Sequence, residues 1–275
     1  MKLLSKILKI VLLGVFLVLA LGPLYWVIVT SLKGSREIYA FPIRYWPESF
    51  NLENYQYLFT ISNFGVYFKN SILVSLIAAT GALIISMFSG YALSRFRDRR
   101  VKLILLLAMY FTQIIPTFML MSPLFTSFAK IGMTDSIVAI TLVYIAMMIA
   151  FSTIMAKSFF DRIPIALEEA AMTDGCTRTQ TLIKVVIPLT LPGLAAIFSF
   201  AFVNIWNELF LAVMLLSSEH NMTVPVALNS FISKAGVSWG VLSAGIVVAL
   251  LPTMIVFAFA QKYIVMGLTE GGVKG

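Results

Sequence analysis

Six stretches without a single charged side chain constrain this chain more than any other feature. They are Ile10–Leu32, Asn70–Ser94, Leu103–Ala129, Ser136–Ala156, Val185–Asn207 and Ala235–Gln261. Each is long enough, as a helix, to cross a hydrocarbon core about 30 Å thick. In lipid every backbone N–H and C=O must be paired internally, and runs this long and apolar achieve that as helices rather than barrel strands. The expectation is an all-α membrane protein, one transmembrane domain over residues 1–275. Its six spans fall at about 10–32, 69–94, 103–123, 136–156, 190–216 and 240–262. Composition agrees: the chain is 60% hydrophobic and only 12% charged, about half the charge fraction of a soluble domain.

The net charge of +8 raises the question of nucleic acid, which the placement of the charges answers. With a cytoplasmic N-terminus, the inner segments hold Lys2, Lys6, Lys9, Arg95, Arg97, Arg99, Arg100, Lys102, Lys157, Arg162, Arg178, Lys184, Lys262 and Lys274. These are 14 of the 20 basic residues. That positive-inside bias predicts both termini and the 157–189 loop in the cytoplasm, and the charge needs no nucleic-acid partner. The first span starts like a signal peptide, but its apolar run continues through Pro23 and Trp26 to Leu32. That exceeds a signal core and predicts a retained anchor. One cysteine, Cys176, excludes an intrachain disulfide and a multi-cysteine metal site.

The loop before the fifth span reads as a folded object. Pro164 suits a first helical turn, and Glu168, Glu169, Ala170, Ala171 and Met172 are good helix formers. Gly175, after Asp174, supplies a left-handed stop. A second helix opens at Thr177, with Gln180 completing a capping box, and is expected to be interrupted by Pro188. A short helix, a glycine corner and another helix make a rigid knob between two spans.

Elsewhere the signals are sparser. The first outer loop carries Ser31-Leu32-Lys33, many aromatic residues and a candidate surface helix at Asn51–Phe59. It suits membrane-interface anchoring or docking of an outer partner. Pro116 and Pro123 predict kinks in the third span. In the fifth span Asn204 lies one helical turn before Asn207 and Glu208, so a continuous helix puts all three on one face. Such a face either lines a route for a hydrogen-bonding solute or clamps helices together. Gly236-Val237-Ser238-Trp239-Gly240 matches the G-x-S-x-G pattern of a hydrolase elbow but lacks the α/β sheet that elbow needs. No H-E-x-x-H and no Walker A loop is present, so no catalytic or metal site is expected and ATP is not bound by that motif. A secondary carrier would show inverted repeats and midplane ion-binding groups, and Glu208 is the only acid clearly within a span.

Glu169-Ala170-Ala171, three residues, Gly175, nine residues, then Val185-Val186-Ile187-Pro188 closely resembles the E-A-A-x(3)-G-x(9)-I-x-L-P loop. That loop marks permease subunits of binding-protein-dependent ABC importers. Ser31-Leu32-Lys33 with Asn54-Tyr55, Trp206-Asn207-Glu208 and the Gly267–Gly275 tail resemble the sugar permeases of the maltose-importer type. The resemblance spans nearly the whole chain. Val185 and Ile187 depart from the usual isoleucine and leucine, and Cys176 stands where alanine is common. It implies a type I importer permease fold in a prokaryotic inner membrane and transport of a carbohydrate. It also implies as partners a second permease, two ATPase subunits that bind ATP and Mg²⁺, and an extracytoplasmic sugar-binding protein. Glu168, Glu169, Ala170, Ala171, Met172, Asp174 and Gly175 would dock the ATPase, with Asn204, Asn207 and Glu208 on the substrate pathway.

Overall fold

The computed structural model describes residues 2–233 and 236–269. Residues 270–275 of the glycine-rich tail therefore lie outside the described residues. The helices are α1 (Lys2–Ser31), α2 (Ser35–Ile38), α3 (Glu53–Thr60), α4 (Phe64–Arg95), α5 (Arg99–Ile114), α6 (Thr117–Lys130) and α7 (Ile137–Phe160). They continue with α8 (Ile165–Thr173), α9 (Arg178–Thr181), α10 (Ile187–Trp206), α11 (Phe210–Leu215), α12 (Val224–Ser230) and α13 (Trp239–Thr269). A two-residue hairpin, β1 (Ile232–Ser233) and β2 (Gly236–Val237), precedes α13. Among the described residues five helices are long and apolar enough to cross a membrane, or six if α5 and α6 count as one span.

Two expected spans are not continuous. α5 and α6 meet at 92°. Pro116 forces this: the residue before a proline avoids helical angles, and Ile115 is extended at φ −72°, ψ 117°. Pro123, by contrast, sits inside α6 without ending it. The fifth span's helix ends at Trp206, and after a three-residue break Phe210–Leu215 form the separate helix α11. Pro188 does not interrupt its helix either. Leu182–Val186 widens into a π-helical turn that joins α9 to α10 in one rod. The wider register removes the clash between a proline ring and the carbonyl four residues earlier.

The chain forms two compact units. One holds the residues up to Phe68 together with Val226–Leu251. Here the Ser31-Leu32-Lys33 segment is tied to α3: Ser31 Oγ lies 2.8 Å from Tyr55 Oη. Asn54 Nδ2 donates to the carbonyls of Ser31 (3.0 Å) and Lys33 (2.8 Å). The Lys33 ammonium donates to the Arg44 carbonyl and sits 4.8 Å from the Trp26 ring centre. A β-carbon at Gly240 would fall 2.3 Å from Asn54 Oδ1, so the start of α13 packs here only without a side chain.

The second unit holds Lys69–Pro225 and the later part of α13. α4, α7 and α10 pack through bare glycines. A β-carbon at Gly90 would stand 2.7 Å from Ala156 Cβ, and one at Gly193 2.3 Å from the Phe159 ring. Phe160, Leu182, Val186, Leu194 and Ile197 form the core beneath this crossing, with Leu83, Met87 and Tyr91 against it.

Candidate functional site: a short helix and a broken span

α8 begins after Pro164, which stands at the N-cap rather than within the first turn. Its end is a Schellman motif: Cys176 N–H donates to the Ala171 carbonyl (3.0 Å) and Gly175 N–H to that of Met172 (3.1 Å). This requires a left-handed residue, and Gly175 supplies it at φ +92°. The capping box forms as the sequence predicts: Thr177 Oγ1 accepts from Gln180 N–H (3.3 Å), and Gln180 Oε1 from Thr177 N–H (2.9 Å).

The expected docking residues divide between two faces. Glu169, Ala170, Met172, Asp174 and Gly175 are exposed. Glu168 and Ala171 are the two buried residues of α8. Glu168 is held by α4: Arg95 Nε and Nη2 reach its Oε1 at 2.7 and 2.6 Å, and Tyr91 Oη donates to its Oε2 at 2.7 Å. Arg95 Nη2 also donates to the Ile163 carbonyl (3.0 Å), and Nη1 to Ser94 Oγ (2.9 Å). Nearby, Asp161 accepts from Lys157 Nζ (2.5 Å) and Ser94 Oγ (2.6 Å). Burial pushes the Asp161 carboxyl up, but these bonds and the two lysines, Lys157 and Lys102, outweigh it and hold it below the usual carboxylate range.

The second candidate region is the end of α10. Asn204 and Asn207 are exposed, and each donates an amide N–H to the carbonyl four residues back, Phe200 and Val203, at 2.8 Å. The helix stops at Asn207, its C-cap. Glu208 therefore does not continue the asparagine face. It caps the next helix: Oε1 accepts from Leu211 N–H (3.0 Å) and Oε2 from Ala212 N–H (3.3 Å). Buried Tyr144 of α7 donates its hydroxyl to Oε2 at 2.6 Å. A carboxylate at a helix N-terminus is favoured both by the free N–H groups and by the helix dipole.

Sequence reasoning missed Arg95, Tyr91 and Tyr144. Arg95 was visible only as one of a basic cluster, and no spacing rule links either tyrosine to an acid more than 60 positions away. The G-x-S-x-G stretch makes no elbow: among the described residues the only sheet is the hairpin of β1 and β2.

Residues 82–269 match the family described as "Binding-protein-dependent transport system inner membrane component". The chain belongs to that family. This permease is 34% identical over 265 residues to the inner membrane ABC transporter permease protein YcjP of Escherichia coli (strain K12), covering 96% of this chain and 94% of that protein. It is 36% identical over 271 residues to the sulfoquinovosyl glycerol transport system permease protein SmoH of Agrobacterium fabrum, covering 98% and 95%. Its fold is similar to a chain of a bacterial ABC transporter involved in the import of the acidic polysaccharide alginate, with TM-score 0.81, 26% identity and coverage of 95% and 96%. The permease is thus an inner-membrane subunit of an ABC importer with the type I permease fold, working with a binding protein and with separate ATPase subunits that hydrolyse ATP.

Proposed function

We propose that this permease carries a carbohydrate across the membrane, and that α8 is the coupling helix gripped by an ATPase subunit. The observation that carries the docking half is the exposed face of Glu169, Ala170, Met172, Asp174 and Gly175 on a helix fixed at both ends by Pro164 and the Schellman turn. Ala170 admits close approach, the Glu169 carboxylate gives a directional contact, and Gly175 sets the exit angle. The distribution of basic residues supports a cytoplasmic side for this helix and both termini. ATP and Mg²⁺ belong to the two ATPase subunits, and closure of those subunits moves α8 as a rigid body.

A second, homologous permease supplies the other half of the pathway, and the binding protein delivers solute on the outer side. Relatives named for sulfoquinovosyl glycerol and alginate support a carbohydrate cargo. Asn204 and Asn207 offer amides to a hydroxyl-rich solute, whereas Glu208 keeps the break between α10 and α11 in shape. The test is ATPase stimulation and uptake by the complex reconstituted with its binding protein, across a panel of oligosaccharides. Stimulation and uptake by at least one sugar are expected. Transport without ATP hydrolysis, or stimulation only by non-carbohydrate solutes, would overturn the reading.

A further inference from the structure

We infer that Glu168, Arg95 and Tyr91 form a latch that carries the motion of α8 into α4, and that Glu168 is a positioning residue rather than part of the docking face. The inference rests on the reading of α8 as the coupling helix. Among the nine residues of α8 only Glu168 and Ala171 are buried, so no large apolar side chain anchors the helix. Ile165, Leu167 and Met172 are all exposed. What ties α8 to α4 is one carboxylate receiving Arg95 on Oε1 and Tyr91 on Oε2.

Those bonds are directional in a way that apolar packing is not. The Arg95 guanidinium reaches Glu168, the Ile163 carbonyl at the turn before α8, and Ser94 beside it on α4. The Arg95 side chain is 17% exposed and that of Glu168 7%, so water is a poor substitute for either partner. The Tyr91 ring is in turn wedged edge-on against Phe160, 5.7 Å between centres, at the end of α7. α4 itself meets α7 closely at Gly90, one residue earlier. A displacement of α8 therefore reaches the end of α4 through the ion pair and the α4–α7 crossing through Tyr91. α4 moves with α8, in addition to α7 and α10, which are joined to it by the chain.

The experiment uses the assembled complex in proteoliposomes with its binding protein. Glu168→Ala, Arg95→Ala and Tyr91→Phe are compared with Glu169→Lys for ATPase capture, ATP hydrolysis and uptake. A pair of spin labels at Ala92 of α4 and Ala166 of α8, in a Cys176→Ser background, reports the α4–α8 distance through the ATP cycle. Expected for Glu168→Ala and Arg95→Ala is normal ATPase capture with uptake per ATP reduced on the order of tenfold, the factor that 1.4 kcal/mol of lost coupling represents. The label distance should stay constant through the cycle in the native complex and vary in these variants. Tyr91→Phe keeps the ion pair, so it should assemble even where the alanine variants do not, with a smaller loss of uptake per ATP. Loss of ATPase capture by Glu168→Ala in a complex that still assembles its permeases would return Glu168 to the docking face. Unchanged uptake per ATP in Tyr91→Phe together with a label distance that varies in the native complex would also overturn the latch. Retained capture by Glu169→Lys would instead count against the docking reading alone.

Discussion

Two glutamates in this permease, one on the loop helix α8 and one at the break after α10, share one kind of contact and differ in the rest. Glu168 and Glu208 each accept a tyrosine hydroxyl, from Tyr91 at 2.7 Å and Tyr144 at 2.6 Å. Beyond that they part. Glu168 is balanced by a full positive charge on Arg95, whereas Glu208 is balanced by the N–H groups of Leu211 and Ala212 at the start of α11. The first arrangement joins two helices by an ion pair whose members depend on each other. The second caps a single helix with fixed backbone dipoles. An acid's task is therefore read from its counter-charge and not from its residue type alone. Guanidinium makes a link between elements, and amides make a shape within one.

The largest expected effect tests the ion-pair side. Glu168→Ala leaves the Arg95 charge, only 17% exposed, without its carboxylate partner, and because Ser94 and the Ile163 carbonyl still accept from it the cost falls at the low end for a broken ion pair, about 3 kcal/mol. At ~2–4 °C per kcal/mol for a chain near this size, that lowers the thermal unfolding midpoint in detergent by roughly 10 °C. A drop no larger than that of an exposed variant such as Glu169→Ala would remove the contrast between the two acids. Next comes Tyr144→Phe, which deletes a hydrogen bond to a charged group and is expected to cost ~1.5–3 kcal/mol in the same measurement. Glu208→Gln should be milder, about 0.5–1.5 kcal/mol, because the glutamine oxygen still accepts from Leu211, its amide donates to the Tyr144 oxygen, and only the longer bond from Ala212 is lost. If Glu208→Gln proved as damaging as Glu168→Ala, the account of Glu208 as a neutralisable cap would fail.

Asp135, ahead of α7, is a third acid of this kind. Asp135 accepts from Ser217 N–H (2.9 Å), Ser218 N–H (3.0 Å) and the Ser218 hydroxyl, so it resembles Glu208 in being held by donors rather than by a cation. Burial pushes its carboxyl up, but the hydrogen bonds from Ser218, Ser217 and Asn221 prevail and bring it down to about 2. A depressed carboxylate contributes stability above its unfolded pKa of about 3.9, and that contribution is lost as pH falls through the folded value. The Asp135 loop is therefore expected to loosen only between about pH 4 and pH 2, with no change near neutrality. Hydrogen exchange at Ser217 and Ser218 across that window is the readout, and Asp135→Asn should flatten it. This is the smallest effect of the set at physiological pH.

Much of the molecule is legible in the sequence where the signal is local. Apolar runs mark the long helices because lipid leaves the backbone no other way to pair. Gly175 and the Thr177–Gln180 pair mark the ends around α8 because caps are decided within four residues. Tertiary choices are another matter. The run Trp206-Asn207-Glu208-Leu209-Phe210 contains neither proline nor glycine, yet the helix breaks there. The reason is that Glu208 turns back to cap α11 and is fixed by Tyr144 from another helix. Pro188 shows the converse: a strong local breaker is absorbed by a π turn within a packed rod. In the same way the α8 sequence gives no sign of which of its two adjacent glutamates is buried, since the position of Arg95 decides that it is Glu168.

In the proposed function the exposed face of α8 receives the ATPase and thereby drives transport. Its most direct test is Glu169→Lys in the reconstituted complex with binding protein, measuring ATPase capture and uptake together. Capture of the ATPase subunit and uptake are both expected to be lost while the permease still folds, with an unfolding midpoint like that of the unaltered chain. A Glu169→Lys permease that captures the ATPase and takes up solute at the original rate would contradict it.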